Sequence, residues 1–217
     1  MADKESESRR PIASRESGWA KVTAAYLAKR GVSPNFISVL SIVFAFVSLL
    51  AFYFWTTTEQ GAVFYMLLAI FGIQGRLIMN LLDGMVAVEH DRKSVVGGIF
   101  NEVPDRISDT LTLFGVGLMV RTMPYAMDLT YLAIALSIAT AYIRTLGASL
   151  GCGHHFLGPM AKQHRMALIT LACVVGIWYT PVFYYALIVM NIGLVITCYR
   201  RLAKVYTVLK SNSNIKL

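Results

Sequence analysis

Six apolar stretches, most of them close to 20 residues or longer, constrain this sequence more than any other feature. They run from Phe36 to Thr56, Gly61 to Val88, Gly97 to Val120, Ala126 to Leu150, Met166 to Tyr179 and Pro181 to Tyr199. At about 1.5 Å of rise per residue, most of them reach across a hydrocarbon core of roughly 30 Å. Only Tyr179–Thr180–Pro181 separates the last two, which predicts a tight helical hairpin with the proline starting the sixth helix. The fold class is therefore all-α: an integral membrane bundle of six transmembrane helices.

Charged residues make up 15% of the 217, against 56% hydrophobic, where an average globular domain carries about 25% charge. This excludes a disordered polar chain and a disulfide-stapled secreted mini-protein. It also excludes a soluble basic surface for nucleic acid, so no nucleic-acid partner is expected. Cys152, Cys173 and Cys198 are scattered without metal-ligand spacing and read as reduced, unpaired thiols. The polar start has no apolar stretch of a cleaved signal. It reads as a flexible cytosolic tail over 1–17, followed by one membrane domain over 18–210 and a short tail over 211–217.

Lys and Arg set the orientation, because loops on the cytosolic side are enriched in them. Seven precede Phe36 (Lys4, Arg9, Arg10, Arg15, Lys21, Lys29, Arg30), and Arg92 and Lys93 lie between the second and third spans. Lys162 and Arg165 lie between the fourth and fifth, and five follow the last span (Arg200, Arg201, Lys204, Lys210, Lys216). Sixteen of the 20 thus fall on one side, while Arg121 alone falls on the other. Both termini are expected in the cytosol. Trp19, Val22, Tyr26 and Leu27, mixed with Lys21, Lys29 and Arg30, predict an amphipathic helix lying in the interface. Ser33–Pro34–Asn35 then turns the chain into the membrane.

Ionisable groups inside spans are costly and mark function by default. Here they gather where the second span ends, Asn80-Leu-Leu-Asp83-Gly84-Met-Val-Ala87, and where the third begins, Asn101-Glu102-Val-Pro104-Asp105-Arg106-Ile-Ser108-Asp109. A loop of eight or nine residues joins them and makes the two helices antiparallel neighbours. At about 100° per residue, Asn80, Asp83 and Ala87 share one helix face, as do Asn101, Asp105 and Asp109. Two facing stripes of oxygen ligands suit a hard divalent cation, and Glu102 flanks them. Gly84 and Ala87 let something bulky approach the backbone. The same side chains could instead make interhelical ion pairs, for example Asp105 or Asp109 with Arg144 or Arg76, and the small residues could serve helix packing. His154 and His155 have no carboxylate or Cys partner at metal spacing and read as polar loop residues.

The stretch Asn80–Asp105 resembles the signature of the CDP-alcohol phosphatidyltransferases, D-x2-D-G-x2-A-R-x8-G-x3-D-x3-D. Here it reads N-x2-D-G-x2-A-V-x8-G-x3-N-x3-D, with identical spacing. Asp83, Gly84, Ala87, Gly97 and Asp105 match, while Asn80 and Asn101 replace Asp and Val88 replaces Arg. Ser33–Pro34–Asn35 resembles the family's entry segment. Gly158-Pro159-Met160-Ala161-Lys162-Gln163-His164-Arg165 resembles its basic loop.

The resemblance implies a phospholipid-synthesising transferase that moves a phosphatidyl group from a CDP-linked lipid to a polar alcohol and releases CMP. It implies Mg²⁺ or Mn²⁺ held among Asn80, Asp83, Asn101, Asp105 and Asp109, with Asp105 also the general base. It further implies room for the CDP moiety at Asp83, Gly84, Ala87 and Gly97. Lys162, Arg165 and Arg144 are candidates to hold an anionic acceptor or its phosphate. Asn keeps an oxygen donor but drops a charge, so one or two cations remain open, with Glu89, Glu102 and Asp109 as carboxylates that could restore the lost charge. A homodimer is permitted by small residues in the third and fourth spans. Two other functions fit the residues less well: a small divalent-cation transporter, whose polar path should continue through the bilayer, and a catalytically weakened relative that binds lipid or an assembly partner.

Overall fold

The structure, a computed structural model, describes residues 13–58, 61–90, 92 and 94–214. Most of the expected N-terminal tail (1–12, with Lys4, Arg9 and Arg10) lies outside the described residues, as do Lys93 and, at the other end, 215–217 with Lys216. A 3₁₀ turn at Ala13–Glu16 precedes seven helices among the described residues: α1 Gly18–Lys29, α2 Pro34–Thr57, α3 Ala62–Glu89, α4 Gly97–Met119, α5 Ala126–Ser149, α6 Lys162–Gly176 and α7 Val182–Asn214. No strand occurs among the described residues.

Local signals place the helix ends. The Gly31 and Val32 amides bond back to the Ala28 and Leu27 carbonyls at 3.0 and 3.1 Å, the paired closure that ends a helix. Two residues later the Ser33 hydroxyl accepts the Phe36 amide at 3.2 Å, and Pro34 occupies the first turn of α2, where a missing N–H costs nothing. The chain therefore turns from α1 into the bundle within Gly31–Ser33.

Four helices, α2, α3, α5 and α7, are long and apolar enough to cross a membrane. The other two expected spans differ from expectation in instructive ways. α4 has ample length but carries Glu102, Asp105, Arg106 and Asp109 in its first half. α6 begins at Lys162, a turn before the apolar run, and ends at Gly176; its 15 residues rise only about 22 Å. α7 begins one residue after Pro181 and continues fifteen residues beyond Tyr199, so Arg200, Arg201 and Lys204 ride on a helix rather than on a tail.

The exterior is the apolar side. Phe36, Phe46, Phe54, Phe64, Phe71 and Ile192 are exposed, whereas Ser38, Ser41, Ser48, Arg76, Asp109 and Thr112 are buried. This inversion of a soluble bundle suits hydrocarbon surroundings, where polar groups satisfy one another inside. α1 buries a stripe of Ala20, Ala24 and Ala28 in a cluster with Ile37, Leu81, Leu82 and Met85. It leaves Trp19, Val22 and Tyr26 outward.

α2 is the central helix, packed against both α3 and α4. It lines them with small residues, so backbones meet closely. A Cβ on Gly72 would stand 2.6 Å from the Phe44 carbonyl oxygen and 2.7 Å from the Ser48 amide nitrogen. These are backbone atoms that no rotamer can move. Gly72→Ala is therefore expected to push α2 and α3 apart, at a cost of about 1–3 kcal/mol. A thermal melt in detergent should show the lowered midpoint. The α2–α3–α4 arrangement also revises one expectation: α3 and α4 touch each other only sparsely and instead face one another across a cavity, each held by α2.

The main core lies in the other part of the bundle, around Phe52, Ile73, Leu113, Met166, Ile169 and Leu187. There the Phe52 and Phe183 rings meet edge to face at 5.7 Å. Asn191 ties α7 to α5 through its amide and the Leu129 carbonyl at 2.9 Å.

Candidate functional site

The α3 stripe and the Asn101 end of the α4 stripe open onto one cavity of about 470 Å³, within the usual size for a small-ligand pocket. From α3 it is lined by Asn80, Asp83, Gly84, Ala87 and Val88; from α4, by Gly97, Asn101 and Glu102. Asp83 is nearly buried. The Ser38 hydroxyl of α2 donates to its Oδ2 at 2.5 Å, while Oδ1 is buried and receives no hydrogen bond of ordinary geometry. A buried carboxylate oxygen left in this condition is costly unless something positive meets it. The donor set is hard oxygen, as Mg²⁺ and Mn²⁺ prefer, so the residues at Asp83 fit a divalent cation. No group of three or more His, Cys, Asp or Glu stands together among the described residues, so amide, backbone, substrate or water oxygens would have to complete its shell.

Asp105 is held differently. Asn80 Nδ2 donates to Oδ1 at 2.6 Å, and Lys162 Nζ donates to both oxygens at 2.8 Å. Arg106 stands 3.5 Å from Oδ2. Asn80 is thus a direct bridge between α3 and α4, and Lys162 brings the start of α6 to the same carboxylate.

Asp109, one turn deeper, is the centre of a buried ion triad. Arg76 of α3 reaches its Oδ1 at 2.6 Å and Arg165 of α6 its Oδ2 at 2.5 Å, with all three side chains almost wholly buried. Both carboxylate oxygens are occupied by guanidinium groups, so neither is open to a cation. The arrangement at Asp109 is the interhelical ion pairing with Arg76 that the sequence left open as an alternative to metal binding. It also engages Arg165, whose second nitrogen donates to the Met160 carbonyl at 3.0 Å.

A second cavity of about 150 Å³ adjoins the first and shares Asn80, Asn101, Arg144, Arg15 and Phe156 with it. Its wall carries six cations (Arg15, Arg106, Arg144, Lys162, Arg165 and Arg201) and no acid. Arg144 pairs with Glu102 and lies 5.5 Å from the Phe156 ring centre. Arg201 donates to the Thr140 and Leu157 carbonyls at 2.6 and 2.9 Å. The segment before α6 is pinned at Gly158, whose φ of +109° and contact with Thr197 admit no side chain. The Met160 amide then bonds the Thr197 hydroxyl at 3.0 Å. That anchor fixes where Lys162 and Arg165 enter the site.

Solved structures share this architecture. Phosphatidylinositol phosphate synthase PgsA1 of Mycobacterium tuberculosis, in complex with manganese and citrate, superposes with a TM-score of 0.71 at 18% identity, covering 87% of this chain and 89% of that one. The same enzyme with CDP-DAG bound gives 0.70 at 19% identity, covering 87% and 94%. At such identities the likeness shows the fold alone. In sequence, archaetidylinositol phosphate synthase of Pyrococcus horikoshii is 26% identical over 148 residues, 67% of this chain and 71% of that protein. Inner membrane protein YnbA of Escherichia coli is 28% identical over 164 residues, 75% of this chain and 74% of YnbA. No protein-family profile matches the chain.

The motif positions from Asn80 to Asn101 all line the larger cavity, while Asp105 is joined to it through Asn80. Sequence reasoning did not place several lining residues at the site, among them these four. Arg15 comes from the turn before α1, Ser38 from α2, Phe156 from the loop after α5 and Arg201 from the extension of α7; tertiary packing alone brings them in. His154 lines the larger cavity and stacks near Phe156 without a metal-binding group around it.

Gly84 gives a clean test of the cavity. A Cβ there would meet nothing within 4 Å, and alanine is the better helix former, so Gly84→Ala should keep or slightly raise the melting temperature. The added methyl enters the cavity wall, and donor binding is expected to weaken at least tenfold in a KM or Kd measurement.

Proposed function

We propose that this chain transfers a phosphatidyl group from a CDP-linked lipid, such as CDP-diacylglycerol, to the hydroxyl of a polar acceptor that carries a phosphate, with release of CMP. The observation that carries this reading is the meeting of a cavity lined by the Asn80–Asn101 motif with a second whose charged lining residues are all basic. The first suits the diphosphate of a nucleotide-linked donor. The second suits an anionic acceptor, because Arg and Lys clusters recognise phosphate oxygens. A further cavity bounded by Trp19, Leu77, Ile78 and Leu81 also reaches Asn80 and Lys162, which gives a lipid donor an apolar approach to the site.

Asp105 accepts the proton of the acceptor hydroxyl as general base. The freed oxygen forms a bond to the lipid-linked phosphorus, the bond from that phosphorus to the CMP oxygen breaks, and CMP leaves with the electron pair. Lys162 and Asn80 hold the Asp105 carboxylate in place for this step. Arg144, Lys162 and Arg106 present donors to the acceptor phosphate, and Phe156 carries the Arg144 guanidinium on its ring. Asp83, with oxygens of Asn80 and Asn101, would hold Mg²⁺ or Mn²⁺. The chemistry a bound cation supplies is neutralisation of charge on the diphosphate and the departing CMP. Arg165 serves chiefly through Asp109, which it helps to fix.

The orientation follows the basic residues: six helices cross or enter the bilayer, both termini lie in the cytosol, and α1 rests in the interface with Trp19, Val22 and Tyr26 toward lipid. The site then opens to the cytosol, where CDP-linked donors and phosphorylated polyols are both available. Beyond Asp109, α4 is mostly apolar, which favours the transferase reading over a cation carrier.

An acceptor panel tests the substrate class. With Mn²⁺ and CDP-diacylglycerol, phosphorylated acceptors such as inositol phosphate and glycerol phosphate should give a phospholipid product by mass spectrometry. Serine and unphosphorylated inositol should give far less. Equal use of charged and uncharged alcohols would remove the role assigned to the basic cavity.

A further inference from the structure

The two carboxylates of the signature are in opposite electrostatic states. Four acidic positions suffice to hold two divalent cations, but Asn80 and Asn101 leave only Asp83 and Asp105. Asp83 has a buried oxygen with no hydrogen bond of ordinary geometry. Asp105 has both oxygens engaged by one ammonium at 2.8 Å, and its Oδ1 also receives the Asn80 amide at 2.6 Å. An amide nitrogen facing a carboxylate is the reverse of two carboxylates sharing a cation. It is also the orientation a neighbouring carboxylate dictates, since Asn can donate only through nitrogen. At this separation an ammonium in a partly desolvated site neutralises a carboxylate effectively.

We infer that this chain binds a single divalent cation, at Asp83, and that the Lys162 ammonium is a built-in cation serving Asp105 where a second metal ion would otherwise stand. This rests on the transferase reading above and deepens it: the loss of two acidic ligands is matched by a fixed positive charge from the start of α6. Lys162 accordingly positions Asp105 in addition to facing the acceptor phosphate.

The test is a count of bound Mn²⁺ on the purified full-length protein, by electron paramagnetic resonance with and without CMP. One ion per chain with no Mn–Mn coupling is the expected result, lost in Asp83→Asn. A variant combining Asn80→Asp, Asn101→Asp and Lys162→Met is expected to bind two ions that couple magnetically. Two ions on the wild-type chain, none in either condition, or one retained in Asp83→Asn would each overturn the inference. A combined variant that folds and still binds only one ion would overturn the role given to Lys162. The wild-type count does not depend on that variant folding. Two ions on the wild-type chain would leave the transferase reading standing, because CMP release from the CDP-linked lipid is measured separately.

Discussion

Asp83→Ala is expected to reduce CMP release by about three orders of magnitude or more, while the protein folds as before or melts slightly higher. The two effects have one cause. Asp83 is a buried carboxylate with one oxygen lacking an ordinary hydrogen bond, a state that costs folding energy. Removing it relieves that cost, as is common at sites where function is maintained against stability. The Ser38 hydroxyl loses an acceptor but stays within reach of the Pro34 carbonyl at 3.1 Å. Catalysis has no such substitute. A cation at a phosphoryl centre is worth several kcal/mol, and each 1.36 kcal/mol is about a factor of ten in rate. Activity and melting temperature measured on the same preparation check both halves. Lost activity with a collapsed melt would mean that Asp83 is structural.

Asp109→Ala should fail in the opposite way, through the fold. It leaves the fully buried Arg76 and the nearly buried Arg165 without their carboxylate. Breaking a buried ion pair from one side costs about 3–5 kcal/mol, a large share of the 5–15 kcal/mol that keeps a typical protein folded. The expected result is a sharp drop in melting temperature or loss of monodisperse protein in detergent. Removing the charges together, with Asp109→Leu, Arg76→Met and Arg165→Met, should recover much of the stability, since well-packed apolar side chains replace such groups at little or no cost. An Asp109→Ala protein that melts like the wild type would contradict the structural role.

These two acids show what sequence can and cannot reveal in this chain. Helical periodicity correctly puts Asn101, Asp105 and Asp109 on one face of α4, and it puts Asn80 and Asp83 on the face of α3 that meets them. Periodicity carries no information about depth or partners. Asp109 lies one turn further in, where guanidinium groups from α3 and α6, 33 and 56 residues away in sequence, close over both its oxygens. Arg15 and Arg201 were legible only as orientation signals, because their approach to the site depends on how the ends of the chain pack.

Hydropathy likewise marks where apolar character begins, not where a helix does. Lys162, Gln163, His164 and Arg165 form the first turn of α6 although none is apolar. Arg200 to Asn214 continue α7 as a partly buried helix with Arg201 and Val205 turned inward. The sparse contact between α3 and α4 was hidden too. A short loop implies neighbours, but the small residues of α2 let that helix take the central position, and the cavity occupies the space between the other two.

Direct measurement of CMP formation tests the proposed phosphatidyl transfer. Purified protein in mixed micelles with CDP-diacylglycerol, Mn²⁺ and a phosphorylated polyol should form CMP and new phospholipid in equal amounts. Omitting the acceptor or replacing Asp105 with alanine should abolish both. Absence of CMP with every acceptor tested, or CMP formation unaffected by Asp105→Ala, would contradict this account and favour a relative that binds lipid without turning it over.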